Sequence, residues 1–351
     1  MKPGQCRSNR REEGIALLLS LLFVVLMSVI VVEHLYQAHV LAAQVAADEA
    51  QWQAEVAAES AVAAGVSLLA TDFATGAAAG LAQSGGTVPE TQSAGMGGYD
   101  GLDEPWALGV QYTTLNDASM QCLIDDEFGK LNLNALYSPM TGQVNETLVE
   151  ALRILFEQRG ATEDPTGAIL DWIDPDDDEQ PYGAENMYYQ GLKAPYACKN
   201  GPFSSVEELL MVRGITLELF FGDAEQEQLP LPELLTVHGD SDGQVNINTA
   251  ELEVLDAVCM TMGQGGLAGM LAEERLDTPF ISESDMAARG VVPQTDPDEP
   301  QLSPFVVSSR CFRVRGQGIC GSCMVRVDAY VWRDERSAAQ PLRILDWRVL
   351  E

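Results

Sequence analysis

Ile15–Val32 reads IALLLSLLFVVLMSVIVV, and Glu33-His34-Leu35-Tyr36 carries it without a Gly or Pro break into VLAAQVAADEAQWQAEVAAESAVAAGVSLLA over residues 40–70. The first run holds nothing more polar than Ser20 and Ser28. At 1.5 Å per residue it spans about 27 Å, enough to cross the apolar part of a bilayer. The second run is dominated by Ala, Leu, Val, Glu and Gln, most of them strong helix formers. Together they predict one continuous helix over residues 15–70, about 84 Å long. A cleaved secretory signal, with its short apolar core and small-residue cut site, does not account for such a helix. A permanent anchor does. Lys2, Arg7, Arg10 and Arg11 outweigh Glu12 and Glu13 ahead of it, which places the N-terminus in the cytoplasm and the remaining chain in an exported compartment.

Composition narrows the function. Twenty Lys+Arg against 53 Asp+Glu leave a net charge of −33. Phosphate backbones would repel such a chain, so no nucleic-acid partner is expected. A 46% hydrophobic share is nonetheless too high for a disordered acidic tail. The charge must coat a folded body. Only His34, His39 and His238 are present, which argues against a His-rich metal site. No Gly-rich phosphate loop, nucleophile elbow or His-Glu-x-x-His occurs, so no catalytic residue is assigned and the chain reads as a non-enzyme.

Beyond the anchor, residues 74–106 are dense in Gly, Ala, Ser and Thr and read as loop. The apolar alternation from Ser119 to Ala135 predicts a hairpin. Gly129-Lys-Leu-Asn-Leu-Asn134 returns as Gly243-Gln-Val-Asn-Ile-Asn248, read as two strand-to-helix junctions with Asn caps. Between them, residues 145–158 and 204–219 carry apolar residues at helical spacing. Past residue 300 the period becomes two: Phe312, Val314, Val325 and Val327 alternate with Arg313, Arg315, Arg326 and Asp328, and residues 344–350 form a last strand. Strands flanking a helical block predict an α+β fold with an antiparallel sheet interrupted by a helical insertion.

A short basic leader ending in Gly14, directly before the apolar run, resembles the class III signal of type IV pilins and type II secretion pseudopilins. Behind it LNLNAL, ILDWIDPDDDEQPYGAEN, SSVEELLMVRGIT and DGQVNINTAEL follow in order. That set resembles the K type of type II secretion minor pseudopilin, general secretion pathway protein K, over nearly the whole mature chain. The resemblance implies cleavage after Gly14 by a prepilin peptidase and methylation of Ile15. It also implies Leu19 at the fifth mature position, where most pilins carry Glu. A tip subunit has no neighbour above whose N-terminal amine needs that counter-charge, and an unpaired buried carboxylate is costly. The organisation implied is a leader at 1–14 and a helix at 15–70 with its transmembrane part at 15–32. A pilin-like α/β core begins at 71–134. A SAM-like helical insertion at 135–232 follows, and 233–351 carries a second helical hairpin and the return to the β core. Location in the bacterial inner membrane, single-pass, with the main body in the periplasm, follows, as do I- and J-type minor pseudopilins, other pseudopilins, membrane lipid and secreted cargo as partners. A tip minor pilin of a type IV pilus and a membrane-tethered calcium-dependent binding module are the alternative readings.

Two chemical features stand out. Without Cys6 in the leader, Cys122, Cys198, Cys259, Cys311, Cys320 and Cys323 remain, an even count that favours disulfides in an oxidising space with the pairing open. The other is acidic. Residues 171–185 (DWIDPDDDEQPYGAE) hold seven carboxylates and no Lys or Arg. With Asp174 as position one of a calcium loop, Asp176 falls at three, Asp178 at five and Glu185 at twelve, the carboxylate positions of an EF-hand. Glu179 stands where that loop needs Gly, so the loop is no true EF-hand, but a hard-oxygen cage for calcium is expected, with Asp171 a further ligand or support. The resemblance implies calcium in this domain as well. Asp240 and Asp242 are weaker candidates, because Asp-Gly more often marks a turn.

Overall fold

The computed structural model describes residues 9–83, 98–223, 228–291, 303–334 and 342–350. Helix α1 runs Asn9–Gln83, 75 residues, longer than expected at both ends. The Ala-rich turns continue past residue 74, so 74–83 extend the helix where a loop was expected. Of the leader, residues 1–8 lie outside the described residues and 9–14 continue the helix. From Ile15 to Glu49 every side chain is exposed, and burial sets in at Ala54.

After α1 come β1 (Val110–Leu115), β2 (Ala118–Asp126), the two-residue β3 (Leu131–Asn132), and a small hairpin of β4 (Tyr137–Ser138) and β5 (Gln143–Val144). The helical part follows: α2 (Glu146–Gln158), α3 (Thr166–Ile173), α4 (Asn186–Gln190), α5 (Leu217–Phe221) and α6 (Leu231–Leu234). It continues through β6 (Leu235–Thr236), β7 (Val245–Asn246), α7 (Leu252–Thr261), α8 (Ala268–Asp277), α9 (Glu283–Ala288) and β8 (Phe305–Val306). Three long strands close the chain: β9 (Cys311–Cys320), β10 (Cys323–Arg333) and β11 (Leu342–Leu350).

The main sheet has the order β1-β2-β9-β10-β11, antiparallel throughout. Ser119 pairs with Ile319, so the whole helical part is inserted between two neighbouring strands. The hairpin expected within 119–135 lies earlier, turning at Asn116-Asp117, with Asn116 at φ +55. After Asp126 the chain leaves the sheet, because the Asp126 carboxylate accepts from Phe128 N and starts a 3-10 turn at Glu127–Gly129.

One face of α1 lies on this sheet. Ala54, Ala57, Ala58, Ala61, Val62 and Leu69 pack on Cys122, Ile124, Phe312, Val314, Val325 and Val327. Gly316 and Gly318 let the helix come so near β9 that an added Cβ would collide with the Ala58 and Ala54 carbonyl oxygens. Small residues on both surfaces therefore set the distance between the layers.

A second hydrophobic core unites Tyr99 with residues from Leu131 to Val307, with α2 packed across α7. Leu148, Leu152, Leu155 and Phe156 are buried, as their spacing predicts. Residues 204–219 do not form one helix: a 3-10 turn at Val206–Met211 ends at Val212, Gly214 takes φ +88, and α5 starts afresh. The repeated strings occupy equivalent places, although neither of their terminal asparagines caps an α-helix. Asn134 exchanges hydrogen bonds with the Phe203 backbone (N–H donating at 2.7 Å, O accepting at 3.0 Å). Asn248 does the same at Phe280 (2.8 and 2.9 Å), and Glu251, not Asn248, precedes α7. Each asparagine clamps a distant loop, and long-range satisfaction of this kind leaves no local signature.

Sheet and helical part are joined through Asp126. Its Oδ2 accepts from Asn246 Nδ2 (3.0 Å), Thr249 Oγ1 (2.6 Å) and Ser309 Oγ (2.5 Å). Burial pushes this carboxyl up to about 6 despite those donors.

Candidate metal centre

The acidic loop leaves α3 at Asp174 and ends at Glu185, the residue before α4. Its shape follows from its anchors. Asp171, fully buried in the last turn of α3, accepts the Gln180 N–H at 3.1 and 3.3 Å and so folds the loop back over the helix. Gly183 must be glycine, since a Cβ there would strike the Asp171 carboxylate. Cys198 Sγ donates to Asp171 O (3.4 Å), Cys198 N to Asn186 Oδ1 (2.9 Å) and Gly201 N to Trp172 O (3.2 Å), stitching residues 198–201 beneath the loop.

Three of the expected ligands come together. Oxygens of Asp174, Asp176 and Glu185 all lie within 4.8 Å of one another. Asp174 and Glu185 are buried (7% and 5% exposed), while Asp176 is open to solvent. Asp174 Oδ1 and both Glu185 carboxylate oxygens have no hydrogen-bond partner, a costly state for buried acceptors. Burial, with Asp171 and Asp174 alongside, pushes Glu185 up to about 7. Burial, with Asp176, Asp171 and Asp178 alongside, pushes Asp174 up to about 6. Buried, unpartnered carboxyl oxygens converging on one point fit a hard divalent cation, which would favour the ionised forms.

Two of the expected site residues stand apart from this cluster. Asp178 is not in the cluster; its backbone N–H donates to Asp176 Oδ1 (2.9 Å), so it shapes the loop and adds charge. Asp171 is bound to loop backbone and serves as support, burial holding its carboxyl above the usual range although the Gln180 and Ala184 N–H groups oppose the rise. Asp240 pairs with Arg310, and neither it nor Asp242 belongs to the cluster. Sequence spacing missed Asn200, whose Nδ2 donates to Asp176 O (2.8 Å) and whose Oδ1 is buried and unpartnered beside the loop. Its φ of +46 was a local sign of constraint, visible only in the folded chain.

A second acidic cluster, Asp72, Asp100 and Glu104, differs in kind. Arg333 Nη2 already sits 3.4 Å from Asp72 and 2.9 Å from Asp100, and Glu104 Oε2 accepts from Trp106 Nε1 (2.8 Å) and Gly101 N (3.1 Å). A protein cation holds that place, and the knot ties α1 to the end of β10. Burial raises Glu104 to about 7.

Of the residues expected to act in processing and assembly, Gly14, Ile15 and Leu19 all lie on α1, and Ile15 and Leu19 are 58% and 60% exposed. This helix is long and apolar enough to cross a membrane, and none of its most apolar window is buried. A long N-terminal helix laid along an antiparallel sheet, with a helical block inserted between two strands, defines an α+β class of fold.

Comparison with known proteins narrows the class. Residues 129–221 match the family described as type II secretion system protein K. The chain is 28% identical over 232 residues to type II secretion system protein K of Klebsiella pneumoniae, covering 57% of this chain and 67% of that protein. The protein K of Aeromonas hydrophila is 31% identical over 165 residues (43% and 47%), and that of Pectobacterium carotovorum subsp. carotovorum 31% over 186 residues (51% and 52%). The match thus spans about half the length of the last two relatives. A chain in the crystal structure of the GspK-GspI-GspJ complex from enterotoxigenic Escherichia coli shares the fold with a TM-score of 0.57 at 18% identity, over 88% of this chain and 98% of that one. The resemblance to protein K that the sequence motifs carried is thereby shown.

Proposed function

We propose that this chain is the minor pseudopilin at the tip of a type II secretion pseudopilus, acting in protein secretion across the outer membrane. It would initiate pseudopilus assembly and contact cargo or the secretion channel. The observation that carries this reading is where the protein K match falls: on the first half of the helical insertion, within a pilin-type frame. A large inserted head suits a terminal subunit, which has no copy stacked above it. The solved relative was crystallised with GspI and GspJ, and we infer the I- and J-type minor pseudopilins as direct partners here. Prepilin peptidase would cut after Gly14 and leave a methylated Ile15. The segment 15–32 would hold the protein in inner-membrane lipid, with the body in the periplasm. Leu19 supports a tip position on the counter-charge argument given above.

Calcium belongs to the same reading. Asp174, Asp176 and Glu185 would hold it, with Asn200 Oδ1 a further oxygen beside the loop. Bound there, the ion neutralises the like charges and fixes the insertion's surface between α3 and α4.

Deleting the gene tests the proposal. Secreted enzymes should accumulate in the periplasm and return to the medium when the wild-type gene is restored. Unimpaired secretion together with loss of a type IV pilus would favour the runner-up. N-terminal sequencing of the mature chain should begin at Ile15; a start near Ala42 or at Met1 would contradict the processing.

A further inference from the structure

Cys320 ends β9 and Cys323 begins β10, and the two stand opposite each other across the turn Gly321-Ser322. Gly321 has φ +59, a left-handed first turn position that suits the tight two-residue hairpin and its strand twist. Opposed residues of an antiparallel pair lie about 4.5–5.5 Å apart at Cα with side chains on one face. That separation falls inside the roughly 4.4–6.8 Å that a disulfide spans. Both side chains do turn to the same side. Cys320 is buried against α1, and Cys323 packs on the same core. Cys320 Sγ donates to Gln53 Oε1 (3.2 Å) and lies 3.8 Å from Asp117 O, so the pair sits where α1 first meets the sheet, beside the β1–β2 turn.

The remaining exported cysteines are placed elsewhere. Cys122 stands opposite Gly316 and Cys311 opposite Trp332, while Cys198 lies beneath the acidic loop and Cys259 in α7. Of these six, Cys323 alone is not buried. A zinc reading of Cys-x-x-Cys finds no support, because neither cluster of metal-capable side chains among the described residues includes these two.

We propose that Cys320 and Cys323 form a reversible disulfide across the β9–β10 turn. The proposal rests on the reading that this body faces an oxidising compartment. The more accessible Cys323, as thiolate, attacks the disulfide of an oxidised dithiol oxidoreductase or of glutathione disulfide. The oxidant's S–S bond breaks, one of its sulfurs leaves as thiolate, and a mixed disulfide forms. Cys320, as thiolate, then displaces the second sulfur and closes the intramolecular bond. Two electrons pass to the oxidant, and the two thiol protons end on its sulfurs or in solvent. The loop closed is only the four residues 320–323, so little chain entropy is removed from the unfolded state. The consequence is local: Cys320 loses its S–H, and with it the bond to Gln53 at the corner where α1 meets the sheet.

The full-length chain, purified in detergent, is the sample. After incubation with glutathione disulfide, free thiols are blocked with iodoacetamide and the protein is unfolded and cut with trypsin. Cleavage at Arg315 and Arg326 releases residues 316–326, which contain both cysteines. We expect this peptide unalkylated and lighter by two hydrogens, with Cys122, Cys198, Cys259 and Cys311 still free thiols. C323S should show no such loss and should leave Cys320 alkylated once the chain is unfolded. Alkylation of both sulfurs at every glutathione ratio, or a bridge from either to another cysteine, would overturn the pair. Acid-quenched cells give the second arm. A bond that forms in vitro but is absent in cells supports the pair and counts against the exported location.

Discussion

Glu185→Gln should stabilise the metal-free protein, although it replaces a buried acid. Both carboxylate oxygens of Glu185 are buried without partners, and burial beside Asp171 and Asp174 moves the group up to about 7 from 4.5. Keeping it ionised at pH 8 therefore costs at most about 3 kcal/mol relative to the unfolded chain. Gln keeps the shape and removes the charge, but its amide inherits some unmet hydrogen bonding, so about 1–2 kcal/mol should be recovered. Bound calcium should reverse the order. At a hundredfold excess over Kd the wild type gains about 2.7 kcal/mol. For a body of this size that raises Tm by about 4–5 °C. The variant, without the proposed ligand carboxylate, should gain little. Thermal unfolding of the full chain in detergent, in EGTA and in millimolar calcium, reads both effects. A variant that is less stable in EGTA and keeps the full calcium shift would refute the reasoning.

Gly318→Ala should loosen the docking of α1, because its Cβ meets the backbone of Ala54 and Ala58; a loss of about 3 kcal/mol in urea unfolding is expected, and an unchanged midpoint would contradict it. Asn248→Ala should cost about 1–3 kcal/mol by leaving the Phe280 N–H and C=O unmet, and Asn134→Ala should behave alike at Phe203. Both can be measured by chemical denaturation. Asp126 and Glu104 are raised by burial to about 6 and about 7 from 3.8 and 4.5, so the native chain holds protons that the unfolded chain releases. Their contribution is present at acid pH and lost as pH rises from about 4 through 7. Urea midpoints in EGTA should thus fall between pH 5 and pH 8; a flat or rising profile would count against the assignment.

How far the sequence could be read differs from element to element. Ile15–Val32 is legible because an eighteen-residue run with nothing more polar than two serines has few other uses, and the period-two run past residue 300 contains β9 and β10. The pairing of β2 with β9 was not legible: its partners are 200 residues apart, and strand alternation says which face is buried but not which strand lies beside it. The hairpin was misplaced because the alternation after Asp126 belongs to a 3-10 turn held by a side-chain cap. At the site, the positions picked out by EF-hand spacing include Asp174, Asp176 and Glu185, whose oxygens the structure places within 4.8 Å of one another, since a short loop bounded by two helices constrains them. It failed at Asp178, whose backbone rather than carboxylate is used, and it could not reach Asn200, which enters from a separate segment. Gly316 and Gly318 sit within β9 where the close approach of α1 leaves no room for a side chain.

Co-expression of the full chain with the I- and J-type pseudopilins of the same organism, followed by purification through a tag on this chain and sizing, tests the central claim most directly. A tip pseudopilin of the K type should elute as a ternary complex with one copy of each partner. Elution of this chain alone, while the I and J proteins pair without it, would contradict the account.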